Sequence, residues 1–326
     1  MRVRSTLLAC LLLACLVSLS PTLAGAQSWP TKPVHIVVSS GAGGTADILA
    51  RMIGDRLAPA LGQPVVIENR PGAGGHLGAG LVARTQPDGY TLLMSGSPTH
   101  SVGPHLFKNL AYDPMHDVPP VAMVAVAPNL LVVNSSLPVR SLDDLVRLAR
   151  EKPGQLTFSS AGTGTSGHLA AELLKSTARI DAHHVPYKSG PEAVTGVLSG
   201  DVTFIFFTVP ALLPQVEAGK LRALAITSAA RSQLVPNVPT VAELGFPGFE
   251  VLAWYALFAP RETPRPVVAR LSAEIEKIAG LPDIRDKMVQ LGAEPKYMSP
   301  EQLTSFVSLE SPKWGRLIRE TGMTPE

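Results

Sequence analysis

Cysteine is nearly absent from this chain of 326 residues. Its two cysteines, Cys10 and Cys15, lie before Gln27, in a segment that the sequence predicts to be removed on export. The chain from Gln27 to Glu326 therefore contains no thiol, which excludes disulfide bonds and catalysis by a cysteine nucleophile. A hydrophobic core must hold the fold together, and a chain of this length suits two domains of ordinary size.

An excess of charge of one sign is also lacking. Lys and Arg number 28 and Asp and Glu number 26, which gives a net charge of +2, and two of the basic residues belong to the leading segment. Because no basic excess is available to bind a polyanion, no nucleic-acid partner is predicted. The apolar run of the leading segment is short and ends at Ser20-Pro21, so a retained membrane span is not predicted.

The leading segment has the pattern of a secretory signal peptide. Two arginines near the start precede the apolar run Leu7–Leu19, and small residues lead up to Ala26. This pattern predicts cleavage between Ala26 and Gln27 and a periplasmic location. The alternative is a lipoprotein motif ending at Cys15, which would leave a lipid-anchored chain.

A strand, a glycine-rich turn and a helical pattern follow one another twice. Val34–Val38 leads through the turn Ser39–Thr45 into a helix that ends near Leu61, and Leu156–Ser160 leads through Ala161–His168 into another. Glycine permits positive φ and close approach of a ligand, and a helix start carries free N–H groups and a partial positive charge. The first turn lacks the Gly-Lys-Ser/Thr of a P-loop. Each turn predicts a site for a carboxylate or another anion.

The two turns contain no cationic side chain. Gly41–Thr45 and Gly162–Gly167 have neither Lys nor Arg, so we expect amide dipoles to balance the charge of a bound anion. Gly44 should be required, because a Cβ there would block close approach or prevent the necessary φ. Arg51 lies a turn or more into the first helix and is not expected to contact the ligand.

Two long apolar segments, residues 121–133 and 251–259, divide the chain. They predict an α/β fold with two lobes, two crossovers and a ligand cleft between the lobes. Hinges are expected near Pro128 and Glu250, where two linkers permit closure over a ligand. The predicted segments are the signal peptide at 1–26, lobe 1 at 27–127 and 251–326, and lobe 2 at 128–250.

Some element boundaries can also be predicted. Ser141 and Ser299 precede helical patterns and are expected to be N-caps, the second with Pro300 in first position and Gln302 reaching back. The proline-rich segment Pro114–Pro120 predicts an exposed loop.

Enzyme motifs are weak. Gly162, Gly164 and Gly167 have the spacing of a dinucleotide fingerprint, but no strand with an acidic residue follows at the required distance. The nucleophile elbow Gly-x-Ser-x-Gly is absent, and the histidines lack the spacing of a zinc site. No cofactor or metal is predicted. A secreted serine hydrolase that uses Ser97 or Ser166 with a histidine is kept as the alternative function.

Both turns and several later segments are similar to one receptor family. The matching segments are Trp29–Pro30 with Pro33, Gly43–Asp47, Glu68–Gly75, Ser160–Leu169, Val185–Lys188, Gly219–Ala225 and Val238–Glu243. In this order and spacing, essentially the whole chain after the signal peptide resembles the substrate-binding proteins of tripartite tricarboxylate transporters, the Bug receptor family.

The resemblance implies a two-lobed periplasmic Venus-flytrap receptor of type II topology. Such receptors deliver a small organic acid to a membrane permease and have no catalytic residues, and we expect a monomer. Members commonly hold a ligand carboxylate through loop amides, hydroxyls and ordered water. A sensor that signals to a membrane partner is a further alternative. The expected ligand-binding residues are Ala42, Gly43, Gly44, Thr45, Asp47, Ser97, Gly162, Thr163, Thr165, Ser166, Tyr187 and Thr208, with Asp47 either capping its helix or orienting the loop.

The chain departs from the family pattern at two places. Members often have Phe-Asp-Asn where this chain has Phe206-Phe207-Thr208. Without an acid at position 207 a ligand amine would lose a partner, so amino-acid ligands are not expected. Ser39–Gly41 also replaces the usual proline of the opening turn, and the shape of this loop therefore does not follow from the resemblance.

Overall fold

The computed structural model describes residues 29–324. The predicted signal peptide, its cleavage site after Ala26 and the alternative lipidated Cys15 lie outside the described residues. From Lys32 onward the described residues belong to one compact unit. Within the described range, no helix combines the length and apolar character needed to cross a membrane.

Strands and helices alternate along most of the described chain, as the sequence patterns predict. The strands are β1 (Val34–Val38), β2 (Val65–Asn69), β3 (Thr91–Gly96), β4 (Pro120–Asn134), β5 (Leu156–Ser160), β6 (Ala182–Pro186), β7 (Phe204–Thr208), β8 (Leu221–Ile226), β9 (Leu252–Phe258) and β10 (Glu294–Met298). The helices are α1 (Thr45–Leu61), α2 (His76–Val82), α3 (Gly103–Leu106), α4 (Pro114–Asp117), α5 (Leu142–Glu151), α6 (Ser166–Ala178), α7 (Gly190–Ser199), α8 (Val209–Glu217), α9 (Arg265–Gly280), α10 (Pro282–Gln290) and α11 (Pro300–Thr321), with a 3₁₀ turn at Ala73–Gly75 and a π-helix at Pro98–Val102.

The strands form two sheets that repeat one order. The first sheet runs β2-β1-β3-β9-β4, with β1 parallel to β2 and β3 and with β9 antiparallel to β3 and β4. The second runs β6-β5-β7-β4-β8, with β5 parallel to β6 and β7 and with β4 antiparallel to β7 and β8. β10 adds to the first sheet by antiparallel pairing with β4. Each sheet thus places one antiparallel strand in fourth position.

β4 belongs to both sheets. It pairs with β9 as far as Pro128 and with β7 from Asn129 onward. Proline has no N–H to donate, so it is tolerated where one ladder ends and another begins. Asn129 is fully buried, donates its N–H to Thr227 Oγ1 at 2.9 Å, and donates from Nδ2 to the Val251 carbonyl at 3.4 Å. The change of sheet therefore falls beside the predicted hinge and is tied to the returning chain.

Buried side chains pack around this shared strand. All residues of β4 except the last are buried. In the first lobe Val37 and Trp254 belong to one apolar cluster, and in the second Phe158 and Phe206 belong to another. Burial of each such side chain contributes about 1.5–3 kcal/mol to folding. The parallel strands β1, β3, β5 and β7 are fixed by this packing, and the loops at their carboxyl ends are positioned with them.

The predicted helix caps are present, whereas the predicted loop is partly wrong. Ser141 Oγ and Ser299 Oγ each accept a hydrogen bond from the backbone N–H three residues later. The segment Pro114–Pro120 is not a loop throughout, because its first four residues form α4. The carboxylate of Asp113 accepts two backbone N–H groups at 3.0 Å and so starts this short helix.

Candidate functional site

A cavity of about 710 Å³ lies where the loops after β1, β3, β5 and β7 meet. Ligand sites of small molecules usually have volumes of about 300–1,000 Å³, and in α/β sheets they lie beyond the carboxyl ends of the strands. The lining residues are 39–41, 44–46, 71–75, 95–98, 107, 161–163, 165–166, 186–191, 207–208 and 253–255.

The structure brings most of the expected ligand-binding residues to this cavity. Those that line it are Gly44, Thr45, Ser97, Gly162, Thr163, Thr165, Ser166, Tyr187 and Thr208. Three others, Ala42, Gly43 and Asp47, do not line it. Two of these have a structural role in the first loop.

Asp47 lies outside the cavity lining and orients the first loop through a backbone hydrogen bond. Its Oδ2 accepts the Gly43 N–H at 2.9 Å, and its Oδ1 lies 2.9 Å from Arg51 Nη2. Burial raises the pKa of Asp47, but the hydrogen bonds from Arg51 and Gly43 outweigh burial and hold the pKa below its ordinary value. Asp47 is therefore charged at neutral pH, and Arg51 binds it instead of lining the cavity.

In this loop the position that requires a positive φ is Gly43. The expectation that Gly44 needs a φ available only to glycine is wrong. Gly43 has φ +76°, whereas Gly44 has φ −76°, which any residue can adopt. A Cβ at Gly44 would lie 3.3 Å from the Gly41 carbonyl oxygen. Crowding within the loop, and not its φ, therefore favours glycine at position 44.

Two helices begin at the cavity without side-chain caps. Gly44 is the N-cap of α1 and Thr165 is the N-cap of α6, and neither makes a side-chain cap hydrogen bond within the described structure. The first-turn N–H groups of such a helix need another partner, and its dipole favours negative charge. The two lobes thus present helix starts to the same space.

Among the three hydroxyls of the second loop, only one is without a hydrogen-bond partner in the described structure. Thr165 Oγ1 donates to the Gly162 carbonyl at 2.8 Å, and Ser166 Oγ donates to Asn129 Oδ1 at 3.1 Å. Thr163 Oγ1 is buried and has no hydrogen-bond partner among the described residues. Because an unsatisfied buried hydroxyl is unfavourable, Thr163 is the member of the set that a polar ligand would complete.

A hydrogen bond joins the two lobes across the cavity. Thr45 Oγ1, at the start of α1, lies 3.1 Å from Thr208 Oγ1, at the end of β7. Tyr255 lines the same wall, and burial raises the pKa of its hydroxyl to about 12, against a hydrogen bond with Thr45 that lowers it. The two loops therefore face each other at hydrogen-bond distance.

The charged side chains of the lining are of one sign, which is positive. It includes Lys188 and no Arg, His, Asp or Glu. Lys188 is exposed and makes no ion pair with any residue in the described part of the chain. Lys188 is not among the ligand-binding residues expected from the sequence, although it ends the matching segment Val185–Lys188. Its position directly after Tyr187, beyond the carboxyl end of β6, was the available signal.

Aromatic residues contribute to the apolar part of the lining. Phe107, Phe207, Tyr187, Trp254 and Tyr255 all line the cavity. The ring of Phe207 packs against the start of α7 so closely that a Cβ at residue 190 would lie 2.2 Å from its Cζ. The residue that replaces the family's usual acid thus contributes an apolar wall.

The two serines of the hydrolase alternative are not paired with a histidine. Ser166 donates to Asn129, and no hydrogen bond joins Ser97 to a histidine in the described residues. Two serine–histidine pairs do occur outside the cavity lining: Ser311 Oγ lies 2.8 Å from His105 Nε2, and Ser160 Oγ lies 2.6 Å from His184 Nε2. Ser160 is fully buried and does not line the cavity, so a substrate in the cavity does not reach its hydroxyl.

Comparison with known proteins identifies the family. The sequence model described as the tripartite tricarboxylate transporter family receptor matches residues 49–323. The chain belongs to this receptor family. BugT of Bordetella pertussis is 36% identical over 298 residues, which cover 91% of each chain.

Solved structures of similar receptors confirm the predicted fold class. The structure of R. palustris Rpa4515 with adipate is 36% identical, covers 91% of this chain and 100% of its own, and has a TM-score of 0.88. That of MatC from Rhodopseudomonas palustris with bound malate is 34% identical, covers 89% and 100%, and has a TM-score of 0.84. This receptor therefore has the two-lobed periplasmic-binding-protein fold.

Proposed function

We propose that this receptor captures a small organic carboxylate in the cavity and delivers it to the membrane permease subunits of a tripartite transporter. The observation that supports this most directly is the cavity itself, which has two uncapped helix starts, one lysine and no acidic side chain. An anion is favoured in such a space. The adipate and malate of the two R. palustris structures belong to the same chemical class.

The carboxylate is proposed to lie between the two helix starts. Amides of the Gly44–Thr45 turn would donate to it from one lobe, and Thr163 Oγ1 would donate from the other. Lys188, which makes no ion pair within the described residues, would bind a second anionic group of the ligand or would attract the same carboxylate. The aromatic wall that includes Phe207 would bury the carbon skeleton.

Lobe closure is proposed to accompany capture. The lobes would comprise residues 27–127 with 251–326 and residues 128–250, as the sequence analysis predicts. The change of sheet at Pro128 and the hydrogen bond from the Asn129 N–H to Thr227 Oγ1 support a hinge there. The hydrogen bond between Thr45 and Thr208 would form in the closed state and break on opening.

The proposal includes a location and a mode of action. After removal of the signal peptide before Gln27 the receptor would act as a monomer in the periplasm. It would release its ligand chemically unchanged, without a cofactor. The separation of Ser97 and Ser166 from any histidine partner supports a role as a carrier over a hydrolase.

A thermal-shift screen with a panel of carboxylates tests the ligand class. A ligand at 100 times its Kd stabilises the folded state by about 2.7 kcal/mol, and hits are then titrated by calorimetry. Thr163→Val should weaken binding of the best hit roughly 10- to 100-fold, since a hydrogen bond to a charged group contributes about 1.5–3 kcal/mol. Thr177→Val, on the exposed end of α6, is the matched control. Equal affinity of both variants would place the carboxylate elsewhere.

Delivery and the absence of turnover need separate measurements. Cells that lack the receptor gene should lose uptake of the labelled ligand, and the parent but not Thr163→Val should restore it at limiting ligand. Chromatography of the ligand after long incubation with the purified receptor should recover it intact. Hydrolysed product would favour the enzyme alternative.

A further inference from the structure

Four side chains form a continuous chain of hydrogen bonds from the cavity into the core. Ser39 Oγ lies 2.8 Å from Ser95 Oγ, and Ser95 Oγ lies 2.7 Å from Thr99 Oγ1. Thr99 Oγ1 lies 2.8 Å from His100 Nδ1. We call this set the Ser39–His100 chain. Each hydroxyl has one proton, so fixing the direction of one bond fixes the next.

His100 fixes the direction at the buried end. Its Nε2 lies 3.2 Å from the carbonyl oxygen of Val118, which can only accept, so Nε2 carries the proton. The ring is fully enclosed and stacks on Phe258 with centroids 3.6 Å apart. Burial lowers the pKa of His100 to about 3, which keeps the ring neutral. His100 Nδ1 is therefore a bare acceptor facing Thr99.

The donor and the acceptor of each remaining hydrogen bond between the hydroxyls are then determined in turn. Thr99 must direct its proton to His100 Nδ1, or to the competing Gly96 carbonyl at 3.1 Å, and in neither case to Ser95. The proton between Ser95 and Thr99 must therefore come from Ser95. Because the only proton of Ser95 is used there, the proton between Ser39 and Ser95 must come from Ser39.

Because its only proton is used in the bond to Ser95, the Ser39 hydroxyl can accept a hydrogen bond from a ligand in the cavity but cannot donate one. Ser39 follows β1 directly, is partly exposed and lines the cavity. A Cβ at residue 75 would lie 3.1 Å from Ser39 Oγ, so glycine at that position avoids crowding this oxygen. A carboxylate oxygen placed against Ser39 would set two acceptors face to face. A ligand hydroxyl placed there would donate to it.

We propose that Ser39 is a specificity-determining acceptor and that the ligand is a hydroxycarboxylate whose C–OH donates to Ser39 Oγ. This rests on the proposed function, in which the cavity binds a carboxylate. It adds a second polar contact at the end of β1. The fixed direction of the Ser39–His100 chain explains why the site selects a donor there, since an unconstrained serine accepts and donates equally well.

Pairs of carboxylates that differ by one hydroxyl group test the proposal. Suitable probes are succinate with malate, glutarate with 2-hydroxyglutarate, and phenylacetate with mandelate, each titrated calorimetrically. In at least one pair the hydroxylated member should bind about tenfold or more tightly than its partner, because the partner leaves the acceptor without a donor.

Three variants locate the selectivity. Ser39→Ala should reduce the affinity ratio of that pair to near one. Ser95→Ala keeps the Ser39 hydroxyl but frees its proton, so the ratio should also fall, which a purely steric role of Ser39 would not produce. Ser305→Ala, on the exposed face of α11 and outside both the cavity and the Ser39–His100 chain, should keep the parental ratio. Thermal unfolding confirms that each variant is folded.

The outcomes separate this proposal from the one on which it rests. If carboxylates bind and every pair has a ratio near one in the parent, Ser39 does not select a donor and the inference is overturned. A ratio that survives both Ser39→Ala and Ser95→Ala overturns it equally. If no member of any pair binds, the carboxylate function fails for these ligands, and the inference falls with it.

Discussion

The buried histidines should make this receptor lose stability in mild acid. Burial lowers the pKa of His76 to about 4 and that of His100 to about 3, against about 6.5 in an unfolded chain. Between these values the unfolded chain binds more protons than the folded one, so stability falls as the pH drops below 6.5. From pH 7.5 to pH 5 each histidine should cost about 2 kcal/mol of unfolding free energy.

Urea unfolding at the two pH values measures this effect. His100→Gln should be less stable than the parent at pH 7.5, because it disrupts the Ser39–His100 chain. Its further loss on going to pH 5 should be about 2 kcal/mol smaller than that of the parent. His184, whose pKa burial also lowers to about 3, contributes to the loss in both proteins and cancels in the comparison.

Two further variants control the measurement. His76→Gln should reduce the acid loss by a similar amount, since His76 is 7% exposed and hydrogen-bonded to Tyr112 at 2.8 Å. Gln233→Ala, at the surface and without a titratable group, should leave the loss as in the parent. An equal acid loss in the parent and His100→Gln would refute the reasoning, because His100 would then not be neutral in the fold.

Three other perturbations have defined outcomes. Asp47→Ala removes the acceptor of the Gly43 N–H, a hydrogen bond to a charged group of about 1.5–3 kcal/mol. Calorimetry should show carboxylate binding about tenfold weaker. Unchanged affinity would contradict the loop-orienting role. Gly167→Ala sets a Cβ 2.1 Å from the Phe206 carbonyl oxygen and should cost about 1–3 kcal/mol in urea unfolding, whereas Gly280→Ala meets nothing within 4 Å and should not destabilise. Lys188→Met should lower ligand affinity by at most about 1 kcal/mol and make it less dependent on salt; an identical salt dependence would exclude Lys188 from binding.

The sequence predicted those parts of the site that local chemistry determines. The apolar run before Ser39, the glycines after it and the helical spacing to Leu61 together define one strand, one turn and one helix. The same pattern before Ser166 places a second helix start. Both patterns lie within a few residues along the chain, so propensity and turn chemistry are sufficient to predict them.

Other features depend on distant partners and were missed. β10 contains Glu294, Pro295 and Lys296, which are poor strand residues, and it becomes a strand by pairing with β4. The Ser39–His100 chain joins the residue directly after β1, one residue of β3 and two residues of a π-helix, and no spacing in the sequence predicts such a contact. Lys188 follows a strand that the sequence does indicate, but its place in the lining depends on the pairing of β6 with β5, which brings the loop after β6 to the cavity.

The sharing of β4 between two sheets has a consequence for the order of folding. β3 and the first half of β4 both pair with β9, and the strands β5 to β8 lie between them and β9 along the chain. Such distant pairing is slow, because loop-closure entropy is lost before the contacts form. A fragment that ends at residue 251 should therefore leave the amides of β1–β3 unprotected in hydrogen exchange. A first sheet that closes only with a late strand would keep the newly made chain unfolded for longer, which suits the export that the signal-peptide pattern predicts.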